Sequence, residues 1–151
     1  MANIKTDSEW MAQALECARA AGANGEVPIG AVVVLNEKQI GCGQNRMEEL
    51  CSAAAHAEIL AINEAGATIK NWRLDGATLY VSLEPCPMCW GAIANSRISR
   101  VVFAAADTRG AGCCSSSAQI ESGILEKESA EILRFFFRNV RKIKGDSGAK
   151  N

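Results

Sequence analysis

Gly30-Ala31-Val32-Val33-Val34-Leu35 is an apolar run rich in β-branched residues, and Asn36-Glu37-Lys38 behind it supplies a turn. Gln39-Ile40-Gly41-Cys42 leads the chain back, so the stretch reads as a β-hairpin. Upstream, Thr6-Asp7-Ser8-Glu9 has the spacing of a capping box. Met11, Ala14, Leu15 and Ala18 follow at helical intervals, and Gly22 is a natural stop. Downstream, residues 53–65 are rich in alanine and read as a helix that Gly66 ends. Thr78-Leu79-Tyr80-Val81-Ser82-Leu83 is a third strand, residues 86–95 a short helix, and Arg100-Val101-Val102-Phe103-Ala104 a fourth strand. A loop rich in Gly, Cys and Ser covers residues 107–117. The last helix spans about residues 125–143, with Ile132, Leu133, Phe136, Phe137 and Val140 as apolar positions. Phe135, Phe136 and Phe137 cannot all face one way, which predicts at least one of them in the core. Residues 145–151 read as a disordered tail. Strands alternating with helices predict one layered α/β domain over residues 1–151, its sheet opening with the antiparallel hairpin.

Composition narrows the class. Apolar residues make up 48% of the 151 and charged residues 22%, ordinary for a soluble globular protein. No apolar run approaches the roughly 18 residues that cross a bilayer. Met1-Ala2-Asn3-Ile4-Lys5 lacks the apolar segment of a signal peptide, so the expected location is the cytoplasm. There the seven cysteines read as thiols, metal ligands or small buried residues rather than as a disulfide framework. A net charge of −1 makes no case for nucleic acid. Arg134, Arg138, Arg141, Lys142 and Lys144, however, form a basic run with no acidic residue among them. Such a run suits phosphate contacts or a solvated helix face equally.

The chemistry-bearing residues form two groups, His56-Ala57-Glu58 and Pro85-Cys86-Pro87-Met88-Cys89. His56 is the one histidine of the chain. With Cys86 and Cys89 it offers one nitrogen and two thiolates, a donor set of suitable softness for zinc. Three protein ligands leave a fourth position for water, the catalytic rather than the structural arrangement. The adjacent Cys113 and Cys114 are poorly disposed to close that position together. Cys86 and Cys89, at i and i+3, place both sulfurs on one side of a first helical turn. Pro85 and Pro87 fit a helix start, whose dipole favours thiolate over thiol. His56 and Glu58 are two apart, about 200° around a regular helix, so both face one site only if His56 lies at or before the helix start. A carboxylate at Glu58 could then take a proton from water and hand it to a substrate nitrogen. Taken alone, Glu58 is also an ordinary first-turn residue.

His-x-Glu followed by Pro-Cys-x-x-Cys is similar to the signature of the zinc nucleobase and nucleoside deaminases. Further stretches resemble the bacterial tRNA adenosine deaminases within that superfamily: Glu26-Val27-Pro28-Ile29-Gly30-Ala31-Val32, Asn45-Arg46, Asn71-Trp72-Arg73-Leu74, Leu83-Glu84-Pro85-Cys86, Ser96-Arg97-Ile98 and Phe136-Phe137-Arg138. The resemblance implies a cytidine deaminase-like fold, a three-layer α-β-α sandwich with a mixed central sheet. It also implies one zinc ion per subunit, held by His56, Cys86 and Cys89, and hydrolytic conversion of wobble adenosine to inosine with Glu58 as proton shuttle. Asn45, Ala57, Glu84 and Pro85 are then expected at the substrate, and Asp107, Arg109, Phe136, Phe137 and Arg138 near the RNA. The expected partners are a tRNA anticodon stem-loop and a second copy of the chain, with no membrane.

Two stretches depart from that family's pattern. Ser52-Ala53-Ala54-Ala55 stands where an Asp-Pro-Thr-Ala stretch is usual, and the loop after Gly110-Ala111 is short and lacks an Asn-His-Arg element. They leave open a deaminase of a free purine base, a nucleoside or a related small heterocycle on the same scaffold.

Overall fold

Thr6 and Glu9 close a reciprocal capping box in the computed structural model, Glu9 N–H donating to Thr6 Oγ1 at 3.2 Å and Thr6 N–H to Glu9 Oε2 at 2.7 Å. The structure describes residues 3–108 and 116–148, with side chains as far as Ile143. The box starts α1 (Asp7–Ala23), and the hairpin follows as β1 (Gly30–Leu35) and β2 (Lys38–Gln44). Asn36 and Glu37 both have positive φ, 49° and 63°. They form the two-residue primed turn whose twist suits a hairpin, and Lys38 already belongs to the returning strand.

The remaining elements are α2 (Met47–Leu50), α3 (Ala57–Ile69), β3 (Thr78–Leu83), α4 (Pro87–Ser96), β4 (Arg100–Ala105), β5 (Gln119–Ser122) and α5 (Glu126–Gly148). The sheet order is β2-β1-β3-β4-β5. β1 is antiparallel to β2 and β3, whereas β3, β4 and β5 run parallel. The sheet is therefore mixed, as expected.

Alternation along the central strands divides the core into two layers. Ala31, Val33, Leu79, Val81, Val101 and Phe103 face Ala57, Ala61, Ala65, Trp90 and Ile93 of α3 and α4. Val32, Val34, Tyr80, Val102 and Ala104 face Trp10, Met11 and Ala14 of α1. α5 packs on that second side, against β3, β4 and α1. The architecture is the α/β/α sandwich. α3 lies close on β2 because Gly41 and Gly43 leave room, where a Cβ would run into the backbone of Ala61 and Ala57.

Several local expectations need correction. α2 and β5 were not foreseen: α2 is one turn long, and β5 is a short edge strand exposed throughout. The alanine-rich helix starts at Ala57, not residue 53. The Ala55 carbonyl accepts Arg46 N–H at 3.0 Å and Ala54 accepts His56 N–H at 2.8 Å, so residues 53–55 turn instead of coiling. Gly66 does not stop the helix, which a single glycine weakens by only about 1 kcal/mol. It ends at Lys70 in the left-handed region, whose N–H bonds back to Gly66. None of Phe135, Phe136 and Phe137 is in the core: Phe136 is half-buried and the other two are exposed. The helix carrying them continues through residues 145–148, read from sequence as tail. Most of the expected loop at residues 107–117, with Arg109, Cys113 and Cys114, lies outside the described residues. Cys17, Cys42, Cys51, Cys86 and Cys89 are free thiols. Among the described residues no helix is long and apolar enough to cross a membrane.

Candidate active site

Two helix N-termini meet at one end of the parallel strands. His56 is the N-cap of α3 in extended backbone (φ −76°, ψ 152°), one residue before Ala57 and two before Glu58. Its side chain therefore leaves the end of the helix rather than its flank, and the two-residue spacing ceases to be an obstacle. Cys86 is the N-cap of α4 (φ −73°, ψ 169°), followed by Pro87, where a missing amide costs little. Cys89 sits in that first turn. Neither His56 nor Cys86 spends its side chain on capping.

The three side chains converge. His56 Nδ1 lies 3.6 Å from Cys86 Sγ and 3.5 Å from Cys89 Sγ, and the three donor atoms all fall within 4.8 Å of one another. A tetrahedral zinc with bonds of about 2.0 Å to nitrogen and 2.3 Å to sulfur needs roughly 3.6 Å between those donors. The cluster could hold zinc without rearrangement. Electrostatics points the same way. Burial pushes the Cys89 thiol far up, and the charges of Glu58 and Cys86 push it further. Burial likewise raises the Glu58 carboxyl, with backbone and Cys89 hydrogen bonds and His56 pulling it back only in part. A bound cation would favour the charged forms of both groups.

A cavity of about 750 Å³ opens over the cluster. His56, Ala57, Glu58, Cys86, Asn45, Glu84 and Asp107 line it. Pro85 is fully buried and not among the lining residues. Asn45 is 4% exposed; its Nδ2 donates to the Val27 carbonyl at 3.2 Å and its Oδ1 accepts Met47 N–H at 3.3 Å. One N–H and one lone pair of that amide remain for a ligand. Glu84 Oε2 accepts the backbone N–H of Asp107 at 3.1 Å, tying the ends of β3 and β4 together. From α5, Phe137 reaches the cavity wall, Phe136 packs edge-on against it at 5.4 Å, and Arg138 is exposed away from the cavity. Arg109 lies outside the described residues.

Sequence reasoning passed over Met47, Leu133 and Arg134, which also line the cavity. Arg134 heads the basic run and could have been singled out from it. Met47 had no signal, because its helix was not foreseen. Val27 and Ile29, also in the wall, belong to the stretch before β1 that carried part of the resemblance.

A mixed α/β/α sheet with this donor set at paired helix starts defines a hydrolytic deaminase of the cytidine deaminase-like fold. The family model for MafB19-like deaminases matches residues 5–141. The tRNA-specific adenosine deaminase of Bacillus subtilis (strain 168) is 45% identical, over 91% of this chain and 92% of that protein. The chain belongs to the family of the tRNA-specific adenosine deaminases. A solved tRNA:A34 deaminase, which edits adenosine to inosine at the wobble position, superposes with a TM-score of 0.78 at 44% identity, over 82% of this chain and 98% of that one. The guanine deaminase of Nitrosomonas europaea gives 0.78 at 27% identity, over 89% and 86%.

Proposed function

We propose that the chain converts adenosine to inosine at the wobble position of a tRNA anticodon stem-loop, with one zinc ion held by His56, Cys86 and Cys89. The observation that carries this is the convergence of His56, Cys86 and Cys89, of which His56 and Cys86 share with Glu58 a cavity that Asn45 also lines. Zinc held there would act as a Lewis acid that eases the loss of a proton from water near neutral pH. The Glu58 carboxylate would take one proton from the water and deliver it to the purine ring nitrogen as the oxygen attacks the amine-bearing carbon. It would then take the second proton from that oxygen and pass it to the amine, which leaves as the carbonyl forms. Water is consumed and ammonia released. Asn45 offers its remaining donor and acceptor to the purine, and the wall around Ala57 and Glu84 keeps the ring over the cluster. Phe136, Phe137, Arg138, Asp107 and Arg109 are the proposed RNA contacts, with the basic face of α5 toward phosphates.

The tRNA-specific relatives support the substrate, and Arg134 and Phe137 at the cavity wall offer a phosphate contact and a stacking face. The likeness to a guanine deaminase favours a second reading, deamination of a free purine. The proposed assembly is a homodimer in the cytoplasm. Trp72, 56% exposed, borders a groove of about 490 Å³ with Ile62, Ala67 and Ala92 that a second copy could cover.

Purified protein of measured metal content, offered a stem-loop with wobble adenosine and separately a panel of bases and nucleosides, separates the readings. Inosine in the stem-loop is expected. Ammonia from small molecules alone would sink the tRNA reading.

A further inference from the structure

We infer that Glu26 is a positioning residue of the substrate pocket, holding the wall that carries Asn45; the inference rests on the deaminase reading of that pocket. Glu26 lies between α1 and β1 and is 3% exposed. Its own N–H donates to the Ala21 carbonyl at 3.0 Å, which anchors it to the end of α1. Its carboxylate crosses to α2. Oε1 accepts the N–H of Glu48 at 3.0 Å and Oε2 that of Glu49 at 2.9 Å, over sequence separations of 22 and 23.

Those amides belong to the first turn of α2, whose N-cap Arg46 makes no side-chain cap. The remaining leading amide, Met47, is taken by Asn45 Oδ1. All three therefore find side-chain acceptors, two of them on Glu26. A four-residue helix does not hold itself, since nucleation costs more than so short a helix returns. Arg46, the cation nearby in sequence, pairs with Glu49 at 2.8 Å. Amide N–H groups at a helix start thus face the buried carboxylate.

The pocket wall is built on these bonds. Val27 follows Glu26, Met47 precedes Glu48, and both line the cavity with Asn45. Asn45 is strung between them, Nδ2 to Val27 and Oδ1 to Met47, with its backbone N–H on the Ile29 carbonyl at 3.1 Å. Glu26 thereby fixes the direction of the one donor and one acceptor that Asn45 keeps for substrate. Only a carboxylate of this length suits the place. Glutamine turns an NH2 group against an amide N–H, and aspartate is one methylene short.

The test compares wild type, Glu26→Gln, Glu26→Asp, Asn45→Ala and the Glu26→Gln/Asn45→Ala double variant. Zinc content, steady-state kinetics on the wobble-adenosine stem-loop, and hydrogen exchange at Met47, Glu48 and Glu49 are measured. Glu26→Gln is expected to keep its zinc, raise KM about tenfold and lower kcat by less than about threefold. Glu26→Asp shifts KM the same way by less. In the Asn45→Ala background Glu26→Gln adds under about twofold, because both act through one contact. Exchange at Glu48 and Glu49 quickens in Glu26→Gln. An unchanged KM in both Glu26 variants, or a full additional effect in the double variant, overturns the inference. A purely structural role would lower stability and active fraction without moving KM. If wild type turns over no substrate offered, the deaminase reading fails instead. The three exchange rates then judge the frame separately, and slow exchange surviving in Glu26→Gln overturns it.

Discussion

Two charge clusters sit on the same sheet and behave in opposite ways. At the start of α1, Asp7 accepts a hydrogen bond from the Tyr80 hydroxyl at 2.7 Å and pairs with Arg100 at 2.6 Å. Arg100 also reaches Glu121 at 2.9 Å. Both acids share Arg100, whose hydrogen bond holds the Asp7 carboxyl below its usual 3.8, against an opposing push from partial burial. Burial, reinforced by the Asp7 hydrogen bond, moves the Tyr80 hydroxyl up to about 12. At the starts of α3 and α4, by contrast, Glu58, Cys86 and Cys89 crowd around His56, and burial drives Glu58 and Cys89 upward. The first cluster ties α1, β3, β4 and β5 together around that shared guanidinium. The second gathers an imidazole and two thiols that could hold a metal ion, with a buried carboxylate beside them.

Breaking the second cluster has the largest expected effect. Cys89→Ser removes a buried donor and is expected to lose zinc and bring turnover below detection, checked by metal analysis and an inosine assay; retained zinc with normal turnover would refute the ligand role. Glu58→Gln leaves the donor trio intact, so zinc stays while kcat falls by about 10²- to 10⁴-fold. The same variant sharpens the contrast in the metal-free protein. Glu58 has a raised folded pKa, so its contribution to stability is present below the usual 4.5 and is lost as pH rises through the raised value. Thermal melts of metal-free Glu58→Gln should therefore lose less stability than wild type as pH rises from 4 to 8.

Asp7 has the opposite sign. Its depressed folded pKa gives stability that is present above 3.8 and is lost as pH falls toward the lower folded value. Asp7→Asn is expected to cost roughly 1 kcal/mol after discounting for solvent screening, about 3 °C in Tm, and to flatten the acid limb without touching kcat. An acid limb identical to wild type would remove Asp7 from the brace. The smallest effect is kinetic. Burial raises the Cys17 thiol to about 11, so at pH 8 iodoacetamide followed by peptide mass spectrometry should label exposed Cys51 well before Cys17. Equal labelling rates would contradict the burial of Cys17.

Much of this was legible one-dimensionally. β1 and β3 were bounded correctly because β-branched residues alternate there between two buried faces. The capping box announced α1 by a local rule. His56, Glu58, Cys86 and Cys89 stood out because ligand type and spacing are written in neighbouring residues, and the argument that His56 must precede its helix matches the N-cap position observed. What failed lacked local signal. Gln119-Ile120-Glu121-Ser122 has one β-branched residue and is a strand because β4 offers it an edge. Ala53 to Ala55 have helical propensity, but Arg46 claims the Ala55 carbonyl from across the loop. At least one of the three phenylalanines was expected in the core because they cannot share a helix face, yet none of them is buried.

The sequence by itself determined the donor set, the neighbouring carboxylate, the strand alternation and hence the family, because each resides in residue types at short, countable spacings. Tertiary structure alone decided that two nitrogen-to-sulfur distances come to 3.6 and 3.5 Å, and that the Glu26 carboxylate reaches the Glu48 amide over a gap of 22 residues. Those are closures between distant segments, set by how helices and sheet pack, and no local pattern encodes them.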